Sequence, residues 1–236
     1  MEIFKGAKIV GVSLFLDNPR ILIISDLHLG QEESMRDAGF LFPQNQFKEL
    51  FQNIKQIIKQ TSPKTIVING DLKHEFRKIS REEWKQISEL LLFLKSKAEV
   101  ILIKGNHDKI LEPLAKSTKV QLIEHFIYKD IYVCHGDKIP KDTDFKKAKC
   151  VIIGHEHPAI ALKDGVRVEK YKCFLKGTYE RKTLIVLPAF NPLTEGTDIL
   201  KEKLLSPFLD SKKIRNFEVY IYEDKVYYFG KARNLE

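Results

Sequence analysis

An alternation of short apolar runs with amphipathic segments restricts the first half of this chain to an α/β fold. Residues 20–26, 64–71 and 100–108 are rich in Ile, Val and Leu and have the length of buried strands. Between these runs, residues 46–59 and 80–97 place their apolar side chains on one helical face. The order strand, helix, strand, helix, strand predicts βαβ units and therefore a parallel sheet.

After residue 117 the pattern changes to one dominated by strands. The strand-like segments are 119–137 (with a turn at Lys129-Asp130), 150–158, 173–188 and 216–231. We therefore expect two mixed sheets packed together with helices outside. We also expect a single domain over residues 1–236, in which the strands at about 173–231 complete the second sheet.

Composition excludes a membrane protein and a disulfide-stabilised one. The chain has 236 residues, of which 43% are hydrophobic and 31% charged, as in globular proteins. No apolar run approaches the roughly 20 residues of a membrane helix. The first 20 residues lack a clean apolar core and a small-residue cleavage site, so we expect no signal peptide. Three cysteines lie in apolar runs, at Cys134, Cys150 and Cys173. We expect them to be reduced and buried in a cytoplasmic protein.

The net charge of +8 has two interpretations. It arises from 40 Lys and Arg residues against 32 Asp and Glu residues. Such an excess can indicate a nucleic-acid partner, or it can reflect a lysine-rich solvated surface. Charge alone does not separate the two.

Five predicted strands end in residues that can bind a metal ion. These ends are Asp26-Leu27-His28, Gly70-Asp71, Gly105-Asn106-His107-Asp108, His135-Gly136-Asp137 and Gly154-His155-Glu156-His157. Sites in α/β sheets assemble outside the carboxyl ends of the strands, so these groups are expected at one edge. Five of the chain's seven histidines lie in these ends.

The spacing and the donor types favour a metal centre. In "DLH" and "HEH" the two potential ligands are two residues apart, so an extended segment directs both to the same side. Nitrogen and oxygen donors without thiolate suit Mn, Fe, Zn, Co or Ni rather than a structural zinc–cysteine site. The neighbouring glycines allow sharp turns and a close approach of substrate.

The series "SDLH", "NGD", "GNHD", "HG" and "GHEH" resembles the calcineurin-like metallophosphoesterase superfamily. This resemblance implies an αββα sandwich with two divalent metal ions, for which Mn²⁺ is expected. The stretches "DLHLGQEESMRDAGFLFP", "GDLKHEF" and "LPAFNPLTEGTDI" resemble the small SbcD-related phosphoesterases of archaea. They also resemble bacterial phosphoesterases associated with DNA ligase and an Lhr-type helicase, which implies a manganese-dependent nuclease in DNA repair.

The same resemblance implies roles for nine residues. The first metal would be held by Asp26, His28 and His157, and the second by Asn106, His135 and His155. Asp71 would bridge both metals, His107 would be the catalytic histidine and Asp108 would orient it. The roles of Lys73, His74 and Glu75, which follow the bridging aspartate, stay open.

The favoured function is a two-metal phosphodiesterase that acts on DNA, as an endonuclease or an end-processing enzyme. One alternative is a phosphohydrolase for a small substrate such as a cyclic nucleotide, a nucleotide diester or a phosphomonoester. The other is a metal-free scaffold, against which the intact ligand set argues. The resemblance implies a helicase or ligase partner, and the edge of the C-terminal hairpin allows a homodimer.

Overall fold

The structure is a computed structural model that describes residues 1–40, 46–74, 79–108 and 111–235. It contains two β-sheets. The first sheet consists, in spatial order, of Glu2–Phe4 (β1), Ala7–Val10 (β2), Ser13–Leu16 (β3), Ile21–Ser25 (β4), Thr65–Asn69 (β5), Glu99–Ile103 (β6) and Gln121–Ile123 (β7). Strands β1 to β4 pair antiparallel and β4 to β7 pair parallel, so this sheet is mixed.

The second sheet is also mixed. Its strands are Phe126–Tyr128 (β8), Ile131–Val133 (β9), Cys150–Ile153 (β10), Pro158–Asp164 (β11), Arg167–Tyr179 (β12), Lys182–Val186 (β13), Thr197–Asp198 (β14), Glu218–Tyr222 (β15) and Val226–Lys231 (β16). Strands β9, β10 and β13 are parallel neighbours. The 13-residue β12 pairs with β11, β13 and β15.

Helices cover the outer faces of the two sheets unequally. The helices are Gln31–Asp37 (α1), Gln46–Thr61 (α2), Arg81–Lys95 (α3), Glu112–Thr118 (α4), Thr143–Lys147 (α5) and the 3-10 turns Ile214–Asn216 (η1) and Ala232–Leu235 (η2). The long α2 and α3 pack on the first sheet, whereas α5, the 3-10 turns and irregular chain cover the second.

Three apolar clusters form the core of the sandwich, one on the outer face of each sheet and one between the sheets. Ile54 of α2 and Leu90 of α3 pack with Leu22 on the outer face of the first sheet. Side chains of both sheets, such as Ile23 and Phe174, form the cluster between the sheets. The third cluster lies outside the second sheet. These layers confirm the expected αββα sandwich.

The predicted elements occur where the periodicity placed them. The structure adds an N-terminal antiparallel meander of β1, β2 and β3, a hairpin of β11 and β12, and the short elements α1, α4, α5 and β14. The three cysteines are buried and free, as expected. Within the described ranges, no helix combines the length and the apolar content that a membrane span requires.

The strand ends of both sheets meet at one end of the sandwich. In the first sheet, the parallel strands β4, β5 and β6 lead into Asp26, Asp71 and Asn106. In the second sheet, β9 and β10 lead into His135 and His155. The fold therefore delivers the predicted ligands from two sheets.

Candidate metal centre

The structure brings the predicted ligands together in overlapping groups. Three groups have ligand atoms within 4.8 Å of one another: Asp26, His28 and His157; His28, Asp71 and His107; and Asp71, His135 and His155. Each group contains residues that are far apart in sequence. His28 and Asp71 each belong to two of the groups, so the groups form one continuous centre.

One end of the centre consists of Asp26, His28 and His157. The Nε2 atoms of His28 and His157 lie 3.2 Å apart, and the His157 Nε2 lies 3.3 Å from the Asp26 carboxylate. That carboxylate accepts hydrogen bonds from the Ser25 hydroxyl and from the backbone N–H of His155. These bonds hold the buried carboxylate in place.

The other end consists of Asn106, His135 and His155, beside Asp71. The His135 Nε2 lies 2.9 Å from the Asn106 side-chain oxygen, 3.1 Å from the His155 Nδ1 and 3.3 Å from the Asp71 carboxylate. His135 also faces the Asp26 carboxylate at 3.6 Å through its other ring nitrogen. His135 is therefore at the junction of the two ends.

Two glycines leave the space that the carboxylates occupy. A Cβ atom on Gly105 would lie 2.1 Å from the Asp71 carboxylate, and one on Gly154 would lie 2.4 Å from the Asp26 carboxylate. Real Cβ atoms do not approach so closely. A larger residue at either position would therefore displace a predicted ligand.

The charged groups of the centre shift one another's pKa values. Burial disfavours the charged imidazole of His135, but the carboxylates of Asp71 and Asp26 outweigh burial and raise its pKa to about 9. Burial also opposes the Asp71 carboxylate, yet the hydrogen bond and the charge of His135 hold its pKa below the ordinary value. His28, buried beside His157, has its pKa lowered to about 3. Ionised carboxylates in this buried space favour a cation between them.

These residues fit a divalent metal ion. The converging donors are imidazole nitrogens, carboxylate oxygens and one amide oxygen, with no thiolate among them. This donor set suits Mn, Fe, Zn, Co or Ni. The glycines that leave room for the carboxylates agree with a built ligand cradle.

His107 lies beside the centre with its ring held by the backbone. Its N–H donates to the Asp71 carboxylate at 3.0 Å, and its ring Nε2 lies 3.8 Å from the same carboxylate. Its Nδ1 contacts the carbonyl oxygen of His74. Because a carbonyl only accepts, Nδ1 carries the proton and Nε2 faces the centre.

The Asp108 carboxylate, which was expected to orient the His107 ring, contacts backbone groups in the described hydrogen bonds. The Asp108 carboxylate is buried and accepts hydrogen bonds from the backbone N–H groups of Leu72, Lys73 and Gly105. Burial, with the nearby Asp71 charge, raises its pKa to about 7. Asp108 thus ties together the two loops that carry Asp71 and Asn106, whereas the His74 carbonyl faces the His107 ring.

The residues after Asp71 have distinct surroundings. The backbone N–H of His74 donates to the Leu29 carbonyl and to the Glu83 carboxylate. Lys73 is fully buried. Glu75, whose role the sequence left open, lies outside the described residues.

A fourth group consists of His125, Asp142 and Asp144. The Asp142 carboxylate caps α5 through the Phe145 N–H and accepts the Tyr132 hydroxyl. His125 stacks on Tyr132, with ring centroids 4.6 Å apart. These contacts account for Asp142 and His125 as structural residues.

Two residues adjacent to predicted ligands, Ser25 and Glu156, support the ligand loops but were not identified from the sequence. The Ser25 hydroxyl donates to the Asp26 carboxylate at 2.7 Å and to the Asn69 carbonyl at 2.9 Å. Glu156, between two predicted ligands, is fully buried and accepts from the N–H groups of Leu205 and Ser206, both at 2.8 Å. The position of Glu156 inside "GHEH" was the available signal for it.

The αββα sandwich and the ligand-bearing strand ends together define a metallophosphoesterase. A family model described as calcineurin-like phosphoesterase matches residues 19–215. The chain therefore belongs to the calcineurin-like phosphoesterase family.

A solved structure agrees with this fold. The nuclease MPE of Pseudomonas putida matches with a TM-score of 0.64 at 18% identity, over 89% of this chain and 88% of that one. At this identity the likeness shows the fold alone. The match to the E. coli phosphoesterase YfcE covers 92% of this chain and 94% of the YfcE chain at 13% identity. Its TM-score of 0.39 is too low to support an argument.

Two curated plant proteins also share sequence with the chain. They are a spermidine synthase of Coffea arabica, 24% identical over 80% of this chain, and spermidine synthase 1 of Datura stramonium, 23% identical over 80% of this chain. The chain spans about half the length of these relatives, namely 54% and 55%. Identity this low does not show a family, so the assignment rests on the family model.

Proposed function

We propose that this chain is a two-metal phosphodiesterase that hydrolyses DNA, with Mn²⁺ as its metal, in a DNA-repair role like that of SbcD-related enzymes. The observation that carries the proposal is the position of Asp71. Its carboxylate lies 3.9 Å from His28 at one end of the centre and 3.3 Å from His135 at the other. One carboxylate between two sets of donors supports a bridging role.

Different residues of the chain would bind the two metal ions and contact the phosphate. Asp26, His28 and His157 would hold one ion, and Asn106, His135 and His155 the other, with Asp71 between them. When bound, two divalent ions supply positive charge for the phosphate oxygens and lower the pKa of water. The Nε2 of His107 lies beside Asp71. With Nδ1 keeping its proton on the His74 carbonyl, Nε2 would give a hydrogen bond or a proton to the reacting phosphate when the ring is protonated on both nitrogens.

A DNA substrate is supported by charge and by the structural comparison. The chain carries a net charge of +8 before any metal is added. A polyanion is attracted to such a surface, and Lys and Arg contacts to phosphates release counterions. The similar fold of a nuclease agrees with this substrate class.

Salt dependence tests the substrate class. We would measure the affinity for single-stranded, duplex, nicked and overhang DNA at salt concentrations from about 50 to about 200 mM. Hydrolysis of a small nitrophenyl diester with Mn²⁺ would be measured over the same range. Binding to DNA should weaken steeply with salt, whereas diester hydrolysis should change little.

The small-substrate alternative predicts diester hydrolysis without DNA binding. If the chain hydrolyses the nitrophenyl diester but does not bind DNA at low salt, the substrate is a small phosphoester. If it hydrolyses neither substrate with Mn²⁺ or any of the other four metals, the phosphodiesterase proposal is wrong.

A further inference from the structure

Asn191 lies behind the loop that carries Asp26 and His28. It follows β13 of the second sheet by a short segment, whereas the loop follows β4 of the first. Asn191 is buried, with 1% of its surface exposed. Its contacts therefore link the two sheets at the edge where the metal centre forms.

Asn191 donates to three consecutive carbonyl oxygens of that loop. Its backbone N–H donates to the Asp26 carbonyl at 3.3 Å. Its side-chain amide donates to the carbonyls of Leu27 at 2.9 Å and His28 at 3.1 Å. One buried residue thus binds every carbonyl of the Asp-Leu-His segment.

The opposite side of the same loop is bound by its N–H groups. Asp26 donates to the Gly70 carbonyl at 3.3 Å, and His28 donates to the Asp71 carbonyl at 2.9 Å. Asp26 and His28 have φ values of 56° and 43°, in the left-handed region that L-residues seldom occupy. Such a backbone persists only where its surroundings impose it. Asn191 therefore restrains the carbonyl side of this loop.

Hydrogen bonds also determine which way the Asn191 amide points. Its side-chain oxygen accepts from the Leu193 N–H at 2.9 Å and from the Gln46 side chain. Its backbone carbonyl accepts from the buried Lys172 amine. The NH₂ group must therefore face the loop, where an oxygen in its place would oppose two carbonyl oxygens.

We infer that Asn191 is a positioning residue for the metal held by Asp26, His28 and His157. It acts by keeping the Asp-Leu-His loop in its left-handed form before metal arrives. This inference rests on the proposed two-metal function. It assigns Asn191 an effect on one end of the centre and not on the other.

The test is stepwise manganese titration of metal-free protein by calorimetry. Asn191→Asp keeps the shape of the side chain but replaces the NH₂ donor with an oxygen. We expect the affinity of one of two manganese sites to fall roughly 10- to 100-fold, as for other residues that support ligands. Activity should return at saturating Mn²⁺, so that the Mn²⁺ requirement shifts while kcat recovers.

Ser206→Ala is the matched control. The buried Ser206 hydroxyl donates to the Gly136 carbonyl at 2.7 Å, next to His135 at the other end. In the Ser206→Ala variant, the manganese site that Asn191→Asp weakens should keep its wild-type affinity. Gln46→Ala removes one hydrogen bond to the Asn191 side-chain oxygen but leaves the Asn191 NH₂ group that donates to the loop. It should therefore produce a milder form of the Asn191→Asp defect.

The outcomes separate this inference from the proposed function. Wild-type protein that binds no Mn²⁺ would overturn the proposed function. Wild-type protein with two sites and an Asn191→Asp variant with both affinities unchanged would overturn only the positioning role. An equal loss at both sites, together with lower stability of the metal-free protein, would make Asn191 a general structural residue and would also overturn it.

Discussion

Left-handed backbone is concentrated at the predicted metal ligands. Five of them have φ between 43° and 64°: Asp26, His28, Asp71, His155 and His157. A left-handed α conformation costs about 1–2 kcal/mol for an L-residue. The cost is offset by hydrogen bonds to these segments, such as the His155 N–H on the Asp26 carboxylate. Five of the seven predicted metal ligands thus adopt a strained backbone.

His107 and Asn106 are adjacent but are expected to differ in what their loss removes. His107→Ala should keep both metals and lose roughly 10²–10⁴-fold in rate, because a donor to the reacting phosphate is lost. Asn106→Ala should weaken one metal, so excess Mn²⁺ should partly restore its rate. Rates and bound manganese would be measured together for both variants.

The leaving group supplies a second readout. A diester with a good leaving group needs less protonation, so His107→Ala should harm its hydrolysis less than that of DNA. His107 also lies in one potential ligand group with His28 and Asp71. If manganese titration restores His107→Ala to the wild-type rate, His107 is a ligand and the division of roles is wrong.

At the scale of elements, β12 supports the loop that contains Asn191. Lys172 extends from this strand and donates to the carbonyls of Ala189 and Asn191. Burial is the main cause that lowers the pKa of Lys172 to about 8. The amine retains N–H donors after losing its proton, so both carbonyls stay satisfied.

This buried lysine should make stability depend on pH. An unfolded lysine has a pKa of about 10.4. Between about pH 8 and that value, the unfolded chain binds more protons than the folded one, so the free energy of unfolding should rise with pH. Below pH 8 both states carry the proton, and Lys172 contributes no slope.

Urea unfolding between pH 7 and pH 10 or so measures this slope. Lys172→Met should remove the contribution of the buried amine to the rise. Lys170→Met is the control, because Lys170 lies two residues away and its pKa is raised by Glu202. A Lys172→Met variant with the same pH profile as wild type would show that the buried amine does not titrate in this range.

At the scale of the whole molecule, the metal centre connects the two sheets. Asp26, Asp71 and Asn106 follow strands of the first sheet, and His135 and His155 follow strands of the second. An ion bound by donors from both sheets opposes their separation. Metal binding and the stability of the sandwich are therefore expected to be coupled.

Removal of metal should lower the unfolding temperature. An ion at 1,000 times its dissociation constant stabilises the folded state by about 4 kcal/mol per site. For a chain of this size, that corresponds to roughly 10 °C. Calorimetric scans with excess Mn²⁺ and with chelator would measure the difference. Asp71→Asn should respond much less, since it lacks the shared charge; an equal response would contradict the bridging role.

The strands and the positions of the predicted ligands could be read from the sequence because their signals are local. The apolar run before Asp26 and the helical periodicity of α2 are patterns of residues that are close in sequence. Parallel strands place their carboxyl ends at one edge, so the convergence of Asp71 with Asn106 also followed from local patterns. The hairpin of β11 and β12 was missed because the exposed residues near its turn, such as Lys163 and Arg167, interrupt the apolar pattern of both strands.

Only the tertiary structure decided how the ligand loops are held. Asp108 is next to His107 in sequence, yet its carboxylate binds three backbone N–H groups, while the His74 carbonyl faces the ring. Asn191 lies more than 160 positions from the loop that it binds. The sequence by itself determined which groups could reach the centre, because strand order and donor chemistry are local. Which buried residue completes each hydrogen bond depends on distances between segments that only folding brings together.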